Sequence, residues 1–550
     1  MTAICTIRAR TAVVAGVVLQ LAVTACSPSP ATKPSPSVGP RTLTRSQQAE
    51  HVLNRLAFGP RPGETGRVMA TGVDRWIEQQ LHPETVSDST LDLVMQALPA
   101  WTAPARALAD SFPQQDIFIR SLRRRRGLAD NAPLQLTGDD SVAFKALNDH
   151  ANQAYNQFQA ARVVRTQLSE RQLLEVMTDF WENHFSVFAG KTPTRFTLLE
   201  YDRDVIRARA LGRFRDLLGA VAHSAAMLWY LDNYQSVADS LHLTLLEHRQ
   251  LEKTGKRPVN HRRNGLNENY ARELLELHTL GVDGGYTQHD VIEVARALTG
   301  WGLDVPREGG GFMFRDGAHD AEAKTVLGHT LAAGRGVDDG EEVLDIVARH
   351  PSTARFIARK LARRLVSDTP SEALVARAAE SFRRTDGDIR EVVRTIVTSP
   401  EFFSRATFHT KVKSPFELVV SARRMINASP DTSPKSVQMI ARLGEPLFGH
   451  LAPNGWPETG DQWINAGSLL DRINFGVQVG GGKLPYAPIE QWPPWALLST
   501  MPFERQMDEV VARILGGSVS PETRQSMVNG RSQLRDLLGL AMGSPEFQRR

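Results

Sequence analysis

The chain has 550 residues, of which 41% are hydrophobic and 23% charged, with a formal net charge of +4. A balance this near neutral over such a length carries no nucleic-acid signature, so no nucleic-acid partner is expected. The length suits two or more domains or one large helical body.

The chain opens with Arg8 and Arg10, then an apolar run from Ala12 to Val23 broken by Gly16 and Gln20. The run is too short for a bilayer, which takes about 20 apolar residues. A positive start, a short apolar stretch and small residues before a cut make a secretory signal over residues 1–25. It ends in Val23-Thr24-Ala25-Cys26, the pattern of a bacterial lipobox, in which the Cys26 thiol takes a diacylglyceryl group and becomes the new N-terminus. Cleavage would remove Cys5, leaving Cys26 as the one cysteine, with no disulfide or cysteine metal site to follow. It also removes Arg8 and Arg10, taking the charge from +4 to +2. Residues 26–40, rich in Pro and Ser, cannot bury enough surface to fold and read as a tether. The expected address is therefore exported and lipid-anchored, at a cell membrane or outer membrane, with the membrane as a partner through Cys26.

Helical periodicity governs the rest. Ala49, Val52, Leu53, Leu56 and Ala57 follow the i, i+3, i+4, i+7, i+8 rule, with Gly59-Pro60 as the stop. Arg123–Arg126 reads as a solvated helix face, with anionic lipid or an acidic glycan as the functional alternative. Ser169 with Gln172 predicts a capping box opening a helix to about Phe188. On it His184 lies within the apolar face, while Asp179 and Asn183 flank it; Glu182 points nearly opposite and is expected to be replaceable unless a second layer covers it. Asn267–His278 is placed on one helix, with Tyr270, Leu274, Leu277 and His278 inward and Asn269, Glu273 and Glu276 on a second stripe. Thr287 with Asp290 opens a helix that Gly300 ends, and 352–366, 371–383 and 387–398 are further helices. One or two short strands are allowed around Gly311–Phe314. Residues 390–403 and 534–548 resemble each other, each an amphipathic helix followed by Ser-Pro-Glu-Phe. The fold class is all-α (mainly α): a multi-helix body with long Gly/Pro/Trp-rich loops. Its expected division is a main domain over 41–404 and a C-terminal helical part over 405–550 packed on it.

Polar residues gather in four places. Glu273 and Glu276 with His184 form a set that can hold a divalent metal such as Mg, Ca, Mn or Zn, or act as acid and base; a solvated face and a core histidine are the alternative reading. His319-Asp320 suits a metal or a base, and Arg272 or Lys324 would hold an anionic group. Asn183 and Asn269 add amide donors. Between Gly455 and Asn465, Trp456 and Asp461 stand in a loop whose rings and acids can stack and hydrogen-bond a sugar, or simply pack.

HVLNRLAFGPRPGE from His51, FWENHF from Phe180, NENYARELLELHTLG from Asn267, YTQHDVIEVARALTGW from Tyr286, HDAEAKTVLG from His319 and GWPETGDQWINAGSLLDRINF from Gly455 resemble, in order, the bacterial domain of unknown function 1800 family. The resemblance covers roughly 45–550 and implies an exported protein, often encoded beside a second exported family similar to sulfatases and phosphatases; it brings no settled activity. Its motifs include His51, Asn54 and Arg55 beside the candidates above. Two functions follow as expectations. One is an envelope hydrolase, metal-assisted in one version, acting on an envelope or extracellular polymer. The other is a non-catalytic lipoprotein that binds a glycan or supports a sulfatase-like exported partner.

Overall fold

The structure is a computed structural model that describes residues 43–103, 115–129, 131–191, 194–256, 265–304, 310–530 and 533–550. The expected signal, Cys26 and the tether lie outside them. Helices dominate, and Thr42–Arg550 form one compact unit. Among the described residues no helix is long and apolar enough to cross a membrane.

The first helix, Arg45–Arg55, begins at a capping box between Thr44 and Gln47 and buries Ala49, Val52 and Leu53. Helix Gly138–Leu168 starts exposed and is buried from Phe158 onward, carrying Arg162 and Arg165 into the core. The Ser169–Gln172 box does not form. Ser169 ends that long helix and bonds Asp88, and the next helix runs Gln172–His184, stopping short of Phe188. The box at Thr287–Asp290 does form, opening Gln288–Ala297.

Residues 267–280 depart from a uniform helix. An α-helical turn over Glu268–Glu273 passes into a π-helical turn over Leu274–Thr279, where the Leu280 N–H bonds the Leu275 carbonyl five residues back. The wider turn shifts the inward face by about one residue. Leu275 is buried and Leu277 only half-buried, the reverse of the periodic expectation.

The strands are short: Trp301–Leu303 pairs antiparallel with Phe312–Phe314, and Lys324–Val326 with His329–Leu331. The second hairpin was not foreseen. It turns on Leu327 and Gly328, both at positive φ, the primed two-residue turn that suits twisted strands.

Toward the C-terminus, helix Pro351–Leu365 packs on Glu372–Arg384, and helix Pro415–Met425 lies against Gly138–Leu168. Helices Ala466–Gly480 and Leu534–Gly543 meet along Gly476, Gly480, Gly539 and Gly543. The two Ser-Pro-Glu-Phe segments end alike: Ser399 Oγ accepts from Phe402 N and Ser544 Oγ from Phe547 N, and both rings are buried. Val412 then bridges Arg549, and the buried Arg550 side chain reaches Glu417 at 3.0 Å.

Candidate active site

The residues singled out from sequence fall into separate places. His184 is a core histidine: its Nε2 lies 3.1 Å from the His278 carbonyl and its Nδ1 2.9 Å from Lys360 Nζ. Burial, followed by the Lys360 charge, holds the His184 imidazole well below its usual range, so it is neutral and accepts from the lysine. Glu273 and Glu276 sit half-buried elsewhere. Tyr286 donates to Glu276 at 3.1 Å, and burial, then the neighbouring Glu276, raises Glu273. Arg272 bonds Gln288, which bonds Glu268, and Asn269 is exposed.

His319, Asp320 and Lys324 form a third, fully buried group. Arg296 grips Asp320 through two bonds of 2.8 and 3.2 Å. The Lys324 ammonium spends its three protons on Asp339 and the Asp320 and Glu322 carbonyls. Such saturation suits a structural clamp under the hairpin. The structure therefore does not join Glu273, Glu276, His184, His319 and Asp320. Among the described residues, no group of three or more His, Cys, Asp or Glu side chains is placed to hold a metal ion.

A different set does converge. A cleft open to solvent is lined by Arg162, Asp179, Glu182, Asn183, Arg364 and Glu445, with Phe448, His450, Trp456, Glu458 and Trp463 around them. Helix Gln172–His184 presents Asp179, Glu182 and Asn183 at i, i+3 and i+4, one face. Arg162 meets Asp179 and Glu182 at 2.5 Å each, its guanidinium over the Phe416 and Phe448 rings. Arg364, from the last turn of Pro351–Leu365, meets Asp179 at 2.7 Å and Glu417 at 2.9 Å. Asn183 pins the loop: its Nδ2 donates to the Trp456 carbonyl and to Glu458, and its Oδ1 accepts from Trp456 N at 2.6 Å. Gly455 makes this approach possible. It sits at φ +72°, and a Cβ there would lie 2.2 Å from the Asn183 carbonyl oxygen.

Electrostatics separate the acids. Glu445 is buried, accepts from Phe416 N at 2.8 Å, and is pushed up to about 8 by burial and then by the Asp179 charge. Burial also acts to raise Glu417, but the Arg364 and Arg550 charges and the Ser414 N–H outweigh it and hold that carboxyl down at about 2. Glu182 is raised well above the usual range by burial, while Asp202, against the effect of burial, is held down by the Arg165 charge and by the Arg165 grip at 2.8 and 3.0 Å. A second layer thus covers Glu182, which is buried and not replaceable surface.

Of the sequence candidates, Asn183 and Trp456 reach this cleft; Asp461 is exposed and does not line it. Sequence reasoning missed Arg162, Arg364, Glu417 and Glu445. A signal existed for three of them: Arg162 and Arg364 are charges inside apolar helix patterns, and Glu417 is three residues after Ser414-Pro415, a capping box. Glu445, in a loop, had none. At the mouth, Trp456 stands 4.7 Å from the His450 ring and 6.1 Å from Trp463, centroid to centroid. A neutral acid, a second carboxyl group and half-buried rings set at angles to one another in one cleft can bind a polyhydroxylated ring and protonate an oxygen on it.

A family model described as a protein of unknown function (DUF1800) matches residues 51–549. Searches of curated proteins and of solved structures each return no match.

Proposed function

The chain belongs to the DUF1800 family, and on that footing we propose that it is an exported lipoprotein hydrolase cleaving a glycan of the envelope or surroundings. The observation that carries the reading is Glu445, an acid kept protonated near neutral pH inside a cleft that also holds a half-buried carboxylate, Glu458. An acid that keeps its proton, with a second carboxyl group in the same cleft, is what acid-assisted glycoside cleavage needs. Glu445 gives its proton to the departing glycosidic oxygen, and Glu458 takes one from the attacking water. Trp456 supports the sugar ring.

The test is reducing-end release from peptidoglycan and from acidic and neutral bacterial polysaccharides. The expected result is a rate that falls as pH rises through about 8, where Glu445 ionises, and a loss of about 10²–10⁴-fold in Glu445→Gln. Undiminished cleavage by that variant would refute the assignment. Retention of a glycan by wild type and Glu445→Gln alike, with no cleavage by either, would favour a non-catalytic glycan-binding lipoprotein, the reading that the Trp456–Trp463 pair also supports.

Export and anchoring rest on the Val23–Cys26 lipobox and the tether behind it. In cells fed labelled palmitate, the wild-type chain is expected to take up label and sediment with membranes. Cys26→Ser should take up none, and label persisting in it would end the anchoring proposal.

A further inference from the structure

The motif Asn54-Arg55 through Gly59 at the start of the fold has no part in the glycan cleft, yet it borders a second hollow. That hollow lies beside helix Pro415–Met425 and is lined by Asn54, Glu50, His409, Lys413, Ser421 and Phe547. It runs on into a wider opening that shares Glu50, His409, Leu515, Gly516, Glu546 and Arg549.

Lys413 and Ser421 face each other there. Lys413 Nζ lies 2.8 Å from Ser421 Oγ, and both side chains are buried. The lysine makes no ion pair among the described residues, and the Phe547 ring lies 4.1 Å from the ammonium. Its backbone is clamped by Gln548 and Arg472, so the side chain is held in place. Ser421 is unusual among the helical hydroxyls. Thr166 and Thr178 donate to carbonyls one turn back, which is the common way for such a group to be satisfied. Ser421 donates to none of the described carbonyls, which leaves the lysine nitrogen as the acceptor for its proton once that nitrogen is neutral. Gly59 makes room: a Cβ there would stand 2.7 Å from Ser421 Oγ.

We propose that Ser421 and Lys413 form a serine–lysine dyad that hydrolyses esters of short acyl groups, with Ser421 as nucleophile, Lys413 as general base and Asn54 as a donor to the developing oxyanion. Ser421 Oγ bonds to the ester carbonyl carbon as its proton passes to Nζ. The ester C–O bond then breaks and the alcohol leaves with that proton. Water next adds to the acyl-serine, again giving a proton to Nζ; the acid departs, and Ser421 Oγ recovers the proton. The pattern is that of a hydroxyl activated by an adjacent, desolvated amine. Burial lowers Lys413 to about 7, so the base form is present at neutral pH and grows as pH rises. The Met425, Leu515 and Phe547 walls of the hollow suit an acetyl or butyryl group.

The test uses the full chain with p-nitrophenyl acetate and with diisopropyl fluorophosphate, reading turnover and the labelled residue by peptide mass. We expect label on Ser421, none in Ser421→Ala, and at least a 100-fold loss of turnover in Lys413→Met and Lys413→Arg. The charges acting on the lysine are Glu417, Arg550 and Glu50, and His409, Arg513, Glu546 and Arg549 line the same hollow. His409 is the one imidazole among them, and the rise in labelling rate through about pH 7 should survive His409→Gln. Absence of label on folded wild-type protein at pH 8.5 would overturn the dyad, as would equal labelling of a folded Lys413→Met chain. If the lysine variants fail to fold, the pH profile of wild type against His409→Gln decides. Glu445→Gln should label normally, which keeps this result separate from that of the glycan cleft.

Discussion

Arg364→Leu should lower the unfolding free energy at pH 7 by about 3–5 kcal/mol, the range for leaving buried charges without their partner. Arg364 is buried, and its guanidinium lies 2.7 Å from Asp179, 2.9 Å from Glu417 and 4.0 Å from Glu458. The leucine fills much of the space but answers none of these carboxylates. Arg162 still reaches Asp179 and Arg550 still reaches Glu417, so the loss is partial. The pH dependence carries a sign. Glu417 ionises at about 2 in the folded chain against 4.5 when free, so it contributes stability above about pH 4.5 that is lost as pH falls toward 2. Without Arg364 the Glu417 carboxyl rises, and the gap between variant and wild type should shrink on acidification. Urea denaturation at pH 7 and pH 4 measures both. A loss below about 1 kcal/mol at pH 7 would mean that water, not Arg364, compensates these acids.

Glu445→Gln should do the opposite to stability while it removes activity. The folded Glu445 ionises at about 8 against 4.5 unfolded. Between those values the folded chain holds a proton that the unfolded chain has released, so stability falls as pH rises through that window. At about 1.4 kcal/mol per unit, the full penalty is about 5 kcal/mol, an upper figure because the surroundings relax. Glutamine keeps an oxygen for the Phe416 N–H and cannot ionise. The variant should therefore match wild type near pH 4 and exceed it by about 1–3 kcal/mol at pH 8, read as unfolding midpoints across that range. A group whose removal stabilises the fold is retained for what it does, not for what it holds together. A destabilised Glu445→Gln chain would make Glu445 a structural acid.

The π-helical turn at Leu274–Thr279 shows where periodic reading stops. Local pattern placed Tyr270, Leu274 and His278 inward correctly, because those contacts depend on neighbours three or four residues away. It misplaced Leu277, because the extra residue in the turn is demanded by packing. His184, Glu273 and Asp320 are similar cases. Each belongs to a polar motif, yet each is satisfied by a different partner: Lys360, a half-exposed rim and Arg296.

The sequence alone determined the helical character of the chain, the helices at Pro351–Leu365, Glu372–Arg384 and Ile389–Val397, the capping box at Thr287 and membership in a family, since apolar spacing and caps act within a few residues. Only the tertiary structure decided which acids meet. Asp179, Arg364, Glu417 and Glu445 come from four separate segments. The protonation of Glu445 depends on its burial and on the Asp179 charge, which no local stretch of residues supplies.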